Sequence, residues 1–94
     1  MDEFFSQKVS VPGDVMVRDV AGDSVILNLK TETYFGLDEV GTRMWKSLKQ
    51  GETIHDAYES LIREYDVDPA ILRSDFRKLI KDLANHGLLD LHAI

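Results

Sequence analysis

Between Ser24 and Leu48, SVILNLKTETYFGLDEVGTRMWKSL, the hydrophobic pattern changes from the period of a strand to that of a helix without a break. Val25, Leu27 and Leu29 alternate with Ser24, Ile26 and Asn28, and Phe35 and Leu37 alternate with Tyr34 and Gly36. A period of two marks half-buried antiparallel strands, here Ser24 to Leu29 and Thr33 to Leu37, joined by the polar turn Lys30 to Glu32. Asp38 then stands where a helix needs an N-cap, and Glu39 falls in the positive first turn. Val40, Met44, Trp45 and Leu48 follow at helical spacing and include the only tryptophan. A sheet face that runs straight into a helix stripe must bury the two against each other, which restricts the chain to an α+β arrangement.

The rest of the chain fits around that corner. Residues 1–8 read as a flexible N-terminal tail, with Phe4 and Phe5 able to fill a groove, and residues 9–94 as a single domain. Val9 and Val11 suggest a short extended piece stopped by Pro12-Gly13. Val15 to Val20 reads as a strand, and Ala21-Gly22-Asp23 as a tight turn into the next, which completes a three-stranded antiparallel meander. The first helix is predicted over Glu39 to Gln50, with Gly51 suited to a left-handed C-cap. Thr53 and Asp56 form a variant capping box for the second helix, whose stripe is Ile54, Ala57, Tyr58, Leu61, Ile62 and Tyr65. Asp68-Pro69 opens the third helix. Its buried stripe is Leu72, Phe76, Leu79, Ile80 and Leu83, and Gly87 ends it. Leu88, Leu89 and Leu91 make a short apolar tail folded back on the core. Two helices joined by a short connection beside a β-hairpin give a winged helix-turn-helix-like fold.

Composition excludes several function classes. At 94 residues the chain holds one core. It has no cysteine, hence no disulfide, thiolate nucleophile or cysteine-bound metal, as befits a cytoplasmic protein. No apolar run approaches the roughly 20 residues of a membrane span. The formal net charge of -6 disfavours nucleic acid as a partner, because phosphate contacts need a surplus of Lys and Arg.

Catalytic and metal chemistry find no assembled site in the sequence. His55, His86 and His92 share no metal-ligand spacing, and the glycines form no phosphate-cradling loop. Asp38 and Glu39 are explained by capping and the helix dipole rather than by acid/base catalysis. Gly41, inside a helix, costs about 1 kcal/mol relative to alanine, which a close approach of backbone or aromatic ring at that turn would explain, as would mere tolerance. The sequence thus predicts no enzyme, no metal and no cofactor.

Two features ask for more than packing. The strand Thr33 to Leu37 comes last in the meander and lacks the charge or proline that usually blunts a free edge. Arg73, Arg77 and Lys81 follow at i, i+4 and i+8, so they make one positive stripe on the third helix, read either as a solvated face balanced by Asp75 and Asp82 or as a binding surface. An open edge beside a basic flank would suit an extended acidic-apolar peptide.

The order strand, GDSVILNL, turn, TETYFGL, D, EVGTRMWKSL, then two helices ending in NHGLL, resembles the PqqD family from about Val9 to Leu89. The likeness is greatest to its standalone members, such as the leader-binding proteins of lasso-peptide pathways. The resemblance implies a domain that captures the leader of a ribosomally made precursor peptide as an added strand. It would present that leader to a modifying enzyme or leader protease. Carried over by position, Thr33, Tyr34, Phe35, Gly36 and Leu37 would supply the edge. Arg73, Phe76, Arg77, Ile80 and Lys81 would supply the groove wall. Two placements fit Phe35, Leu37 and Phe76, namely core and groove. Leu37-Asp38 replaces the Leu-Asn common before the first helix in the pyrroloquinoline-quinone protein, which favours peptide maturation in general over cofactor synthesis. The competing reading is a winged-helix DNA-binding regulator, with Arg73, Arg77 and Lys81 on its base-reading face.

Overall fold

The structure, a computed structural model, describes residues 3–51 and 53–93; Met1, Asp2, Glu52 and Ile94 lie outside the described residues. A 3-10 turn over Glu3–Ser6 leads into β1 (Lys8–Ser10), followed by β2 (Val15–Val20), β3 (Asp23–Asn28) and β4 (Thr33–Leu37). Then come α1 (Glu39–Gln50), α2 (Ile54–Glu64), α3 (Pro69–Asn85) and β5 (Asp90–His92). The expected α+β meander followed by three helices is therefore present, with the strands in the order β2-β3-β4. A second, two-stranded sheet that the sequence reading did not foresee pairs β1 with β5, Val9 opposite Leu91.

Local chemistry explains most boundaries. Ala21 and Gly22, with φ of 53° and 95°, make the two-residue turn that closes the β2–β3 hairpin at Val20 and Asp23. Both positive φ values match the right-handed twist of the flanking strands. Asp38 caps α1 by accepting the Gly41 amide at 2.8 Å. The capping box of α2 is complete, with Asp56 N–H donating to Thr53 Oγ1 and Thr53 N–H to Asp56. Gly87 ends α3 at φ 71°, and the amides of Gly87 and Leu88 donate back to Ala84 and Leu83, a Schellman pair. Gly51 differs from expectation. Its φ of -84° is ordinary extended backbone, and the glycine serves space instead, since a Cβ there would lie 3.1 Å from the Ala57 amide nitrogen.

Burial runs opposite to simple hydrophobicity along β3. Ser24, Ile26 and Asn28 face inward, while Leu29 is 62% exposed just past the strand. The two inward polar side chains have partners that make their burial tolerable. Ser24 hydrogen-bonds Thr42 across to α1 at 2.7 Å. Asn28 accepts the Lys30 and Thr31 amides, shaping the turn, and donates to the Gly87 carbonyl. Trp45 is 2% exposed, as its place on the α1 stripe predicts.

The start of the chain corrects the tail expected over residues 1–8. Phe5 is completely buried in the core, edge-on to Tyr58 and Phe76. The Gln7 carbonyl accepts the Ile54 amide, and β1 pairs with β5. An aromatic side chain gains roughly 1.5–3 kcal/mol on burial, which together with these backbone hydrogen bonds offsets the cost of ordering the segment. The part of the expected tail at Met1 and Asp2 lies outside the described residues.

Candidate functional site

β4 is the last strand of its sheet, and its outer edge has no strand partner among the described residues. Its five residues, Thr33 to Leu37, carry neither charge nor proline. Register places Phe35 opposite Ile26 and Leu37 opposite Ser24, so both point to the inner side of the sheet, while Tyr34 points outward and is 71% exposed. Beside this edge lies an open cleft of about 430 Å³. Phe35, Gly36 and Leu37 form its strand side, and Val40, Gly41 and Met44 of α1 close one end. Asp75 and Leu79 of α3 form the opposite wall, and Asp38 stands at the corner between strand and helix.

Gly41 is explained by this cleft. A Cβ there would lie 3.2 Å from Leu37 Cδ2 and 3.3 Å from Asp38 Oδ1, so glycine lets the Leu37 side chain lie against the first turn of α1. The close approach comes from a leucine side chain and a capping carboxylate, not from the backbone or aromatic ring that the sequence reading expected. At the other end of β4 the sheet and α3 are tied together. Thr33 Oγ1 donates to the His86 carbonyl at 3.1 Å, and Asn28 donates to Gly87 at 2.8 Å. The Phe35 and His86 rings meet edge-on at 5.5 Å. The edge is thus held against the helix end near Thr33 and opens into the cleft toward Leu37.

The expected groove wall needs correction. Phe76 and Ile80 are completely buried and belong to the core, which decides the alternative left open for Phe76. Arg73, Arg77 and Lys81 lie on the flank of α3 that faces the N-terminal turn. The Arg73 guanidinium lies 3.9 Å from the Phe5 ring centroid, and that of Arg77 lies 5.4 Å from both Phe4 and Phe5. Lys81 Nζ lies 5.6 Å from Phe4. Helical residues two apart point about 200° from each other, so when Asp75 lines the cleft Arg77 must face away. Leu37 and Phe35 do both jobs, packing on the core and lining the cleft. Asp75, Leu79, Val40, Gly41 and Met44 were not foreseen as lining residues. The signal available was the spacing of Ile71, Asp75 and Leu79 at i, i+4 and i+8, a flank as regular as the basic one.

Arg73 and Arg77, two of the three cations that a DNA regulator would need on its base-reading face, stand over the aromatic rings of the N-terminal turn. No group of three metal-ligating side chains occurs among the described residues. His92 hydrogen-bonds Ser10 across the β1–β5 pair, and His86 Nδ1 contacts the Asp82 carbonyl at the end of α3. No helix among the described residues is long and apolar enough to cross a membrane.

Comparison with known proteins agrees with this geometry. The family model described as coenzyme PQQ synthesis protein D (PqqD) matches residues 23–89. A solved structure of TbiB1 in complex with the TbiA(beta) leader peptide is 35% identical, with a TM-score of 0.76 over 85% of this chain and 93% of that one. A lasso peptide synthetase B1 complexed with its leader peptide superposes with a TM-score of 0.76 over 88% of this chain and 98% of that one. At 19% identity the latter likeness is one of fold. No curated protein matches the chain.

Proposed function

The chain belongs to the PqqD family, and from that premise we propose that it binds the leader segment of a ribosomally made precursor peptide, without catalysing a reaction itself. The observation that carries this reading is that the outer edge of β4, without a strand partner among the described residues, runs beside a largely apolar cleft. Unpaired backbone N–H and C=O groups along an edge are satisfied by an added strand, which supplies affinity, while the cleft reads alternate side chains. The edge residues of the site are Thr33, Tyr34, Phe35, Gly36 and Leu37. On this reading Asp75 and Leu79, which line the cleft, supply the opposing wall in place of the basic stripe. The bound leader would then be handed to a modifying enzyme or leader protease of the same pathway. Such a role suits a cytoplasmic protein.

The test is a titration of isotope-labelled protein with the precursor peptide encoded beside its gene. Amide shifts are expected along Thr33 to Leu37 and at Asp75 and Leu79. Shifts confined to the Ala21 turn or the region of Gly51 would remove β4 as the binding edge. Duplex DNA offered in the same experiment is expected to leave the spectrum unchanged at physiological salt, given the net charge of -6.

A further inference from the structure

We propose that the peptide taken by this cleft carries a lysine or arginine beside its apolar anchor, and that Asp38 and Asp75 select it. The inference rests on the reading of β4 as a peptide-binding edge and adds the charge of the peptide, which is the reverse of what the basic stripe of α3 suggested. Asp38 and Asp75 are both exposed and are the charged residues lining the cleft. Neither is in an ion pair among the described residues. Asp38 Oδ1 accepts the Gly41 amide, which leaves its second oxygen to meet a ligand. Arg73 and Arg77 stand over the Phe4 and Phe5 rings on the opposite flank of the helix, and Lys78, exposed one turn on from Asp75, forms no ion pair with it among the described residues. One feature could favour an anion instead, the positive end of α1, but Asp38 caps it and Glu39 adds a second negative charge in the same turn.

The shape of the cleft says where the charge falls. A strand added to β4 points every second side chain to the same side, and on the inner side those side chains meet Phe35, Leu37 and Leu79. An apolar residue fills this space. The next side chain on the same face, two residues along, reaches Asp75 one helical turn from Leu79. Lys and Arg fit such a position because their methylene stems lie along apolar surface while the charged head stays at the wet rim. The protein's overall negative charge adds a long-range attraction for a basic peptide, and this part is screened by salt.

The experiment pans a display library of short random peptides on the full-length chain and on the variants Asp75→Asn and Asp75→Lys. Circular dichroism verifies that both variants remain folded, as an exposed helix position allows. Peptides enriched on the native chain are expected to carry Lys or Arg two residues from an apolar anchor. Replacing that cation by Gln in a synthetic copy should weaken binding by up to about fivefold for each carboxylate engaged. The preference should fade on Asp75→Asn and turn toward Glu or Asp on Asp75→Lys. Peptides that shift the β4 amides yet show no charge preference, or one indifferent to both variants, would overturn the selection by Asp38 and Asp75 while leaving the peptide-binding reading in place. Failure to enrich any peptide, or enrichment of peptides that leave β4 unperturbed, would overturn both.

Discussion

The guanidinium of Arg73 sits 3.9 Å above the ring of Phe5, a residue 68 positions earlier in the chain that is completely buried. This pair fastens the N-terminal turn to α3 and accounts for the fate of the basic stripe. It also predicts that Phe5→Ala destabilises the domain by about 3–5 kcal/mol through the cavity left among Tyr58 and Phe76. Arg73→Met, which retains much of the stem, should cost about 1 kcal/mol. Urea denaturation measures both, and equal losses would show that Phe5 contributes little beyond its contact with Arg73.

Gly41→Ala sets helix propensity against the Leu37 contact. The gain is about 1 kcal/mol if Leu37 can give way, and the open cleft offers its side chain somewhere to turn. We expect a stability gain of up to about 1 kcal/mol together with weaker leader binding, because Leu37 would turn into the space meant for the ligand. Calorimetry with the precursor peptide, alongside thermal denaturation, checks the two effects separately.

Asn28→Ala removes the acceptor for two turn amides and the donor to Gly87. A buried carbonyl left without a partner costs about 1–3 kcal/mol, and the turn loses its local template as well. Hydrogen exchange should speed up at Lys30 and Thr31 before the rest of the sheet. Uniform acceleration across the domain would show instead that the turn does not open on its own.

The phenol of Tyr65 is pushed above its ordinary pKa, chiefly by burial and further by the neighbouring Glu64 carboxylate. The unfolded chain therefore loses this proton first as pH rises. The contribution to stability is whole below about pH 10 and falls away as pH climbs from there through the higher folded value. Tyr65→Phe should flatten that alkaline decline in a series of urea titrations, and an unchanged slope would place its origin elsewhere.

Helix ends were legible in the sequence because their chemistry is local. The Thr53–Asp56 box, Asp68 before Pro69 and the left-handed Gly87 each act on backbone groups within a few residues. The meander, the α+β class and the open last strand followed from period and order in the same way. Tertiary structure alone decided which phase faced inward and which flank faced the cleft. Along β3, hydrophobicity pointed to Val25, Leu27 and Leu29, yet Ser24 and Asn28 are inside because Thr42 and Gly87, distant in sequence, supply their partners. The β1–β5 ribbon brings Ser10 to His92 across 82 positions. On α3 the stripe of Phe76 and Ile80 could be read from spacing, but a stripe has two flanks that spacing treats alike. Only the folded chain assigns them, because Phe4 and Phe5 take the basic side, and the acidic side is left to line the cleft beside β4.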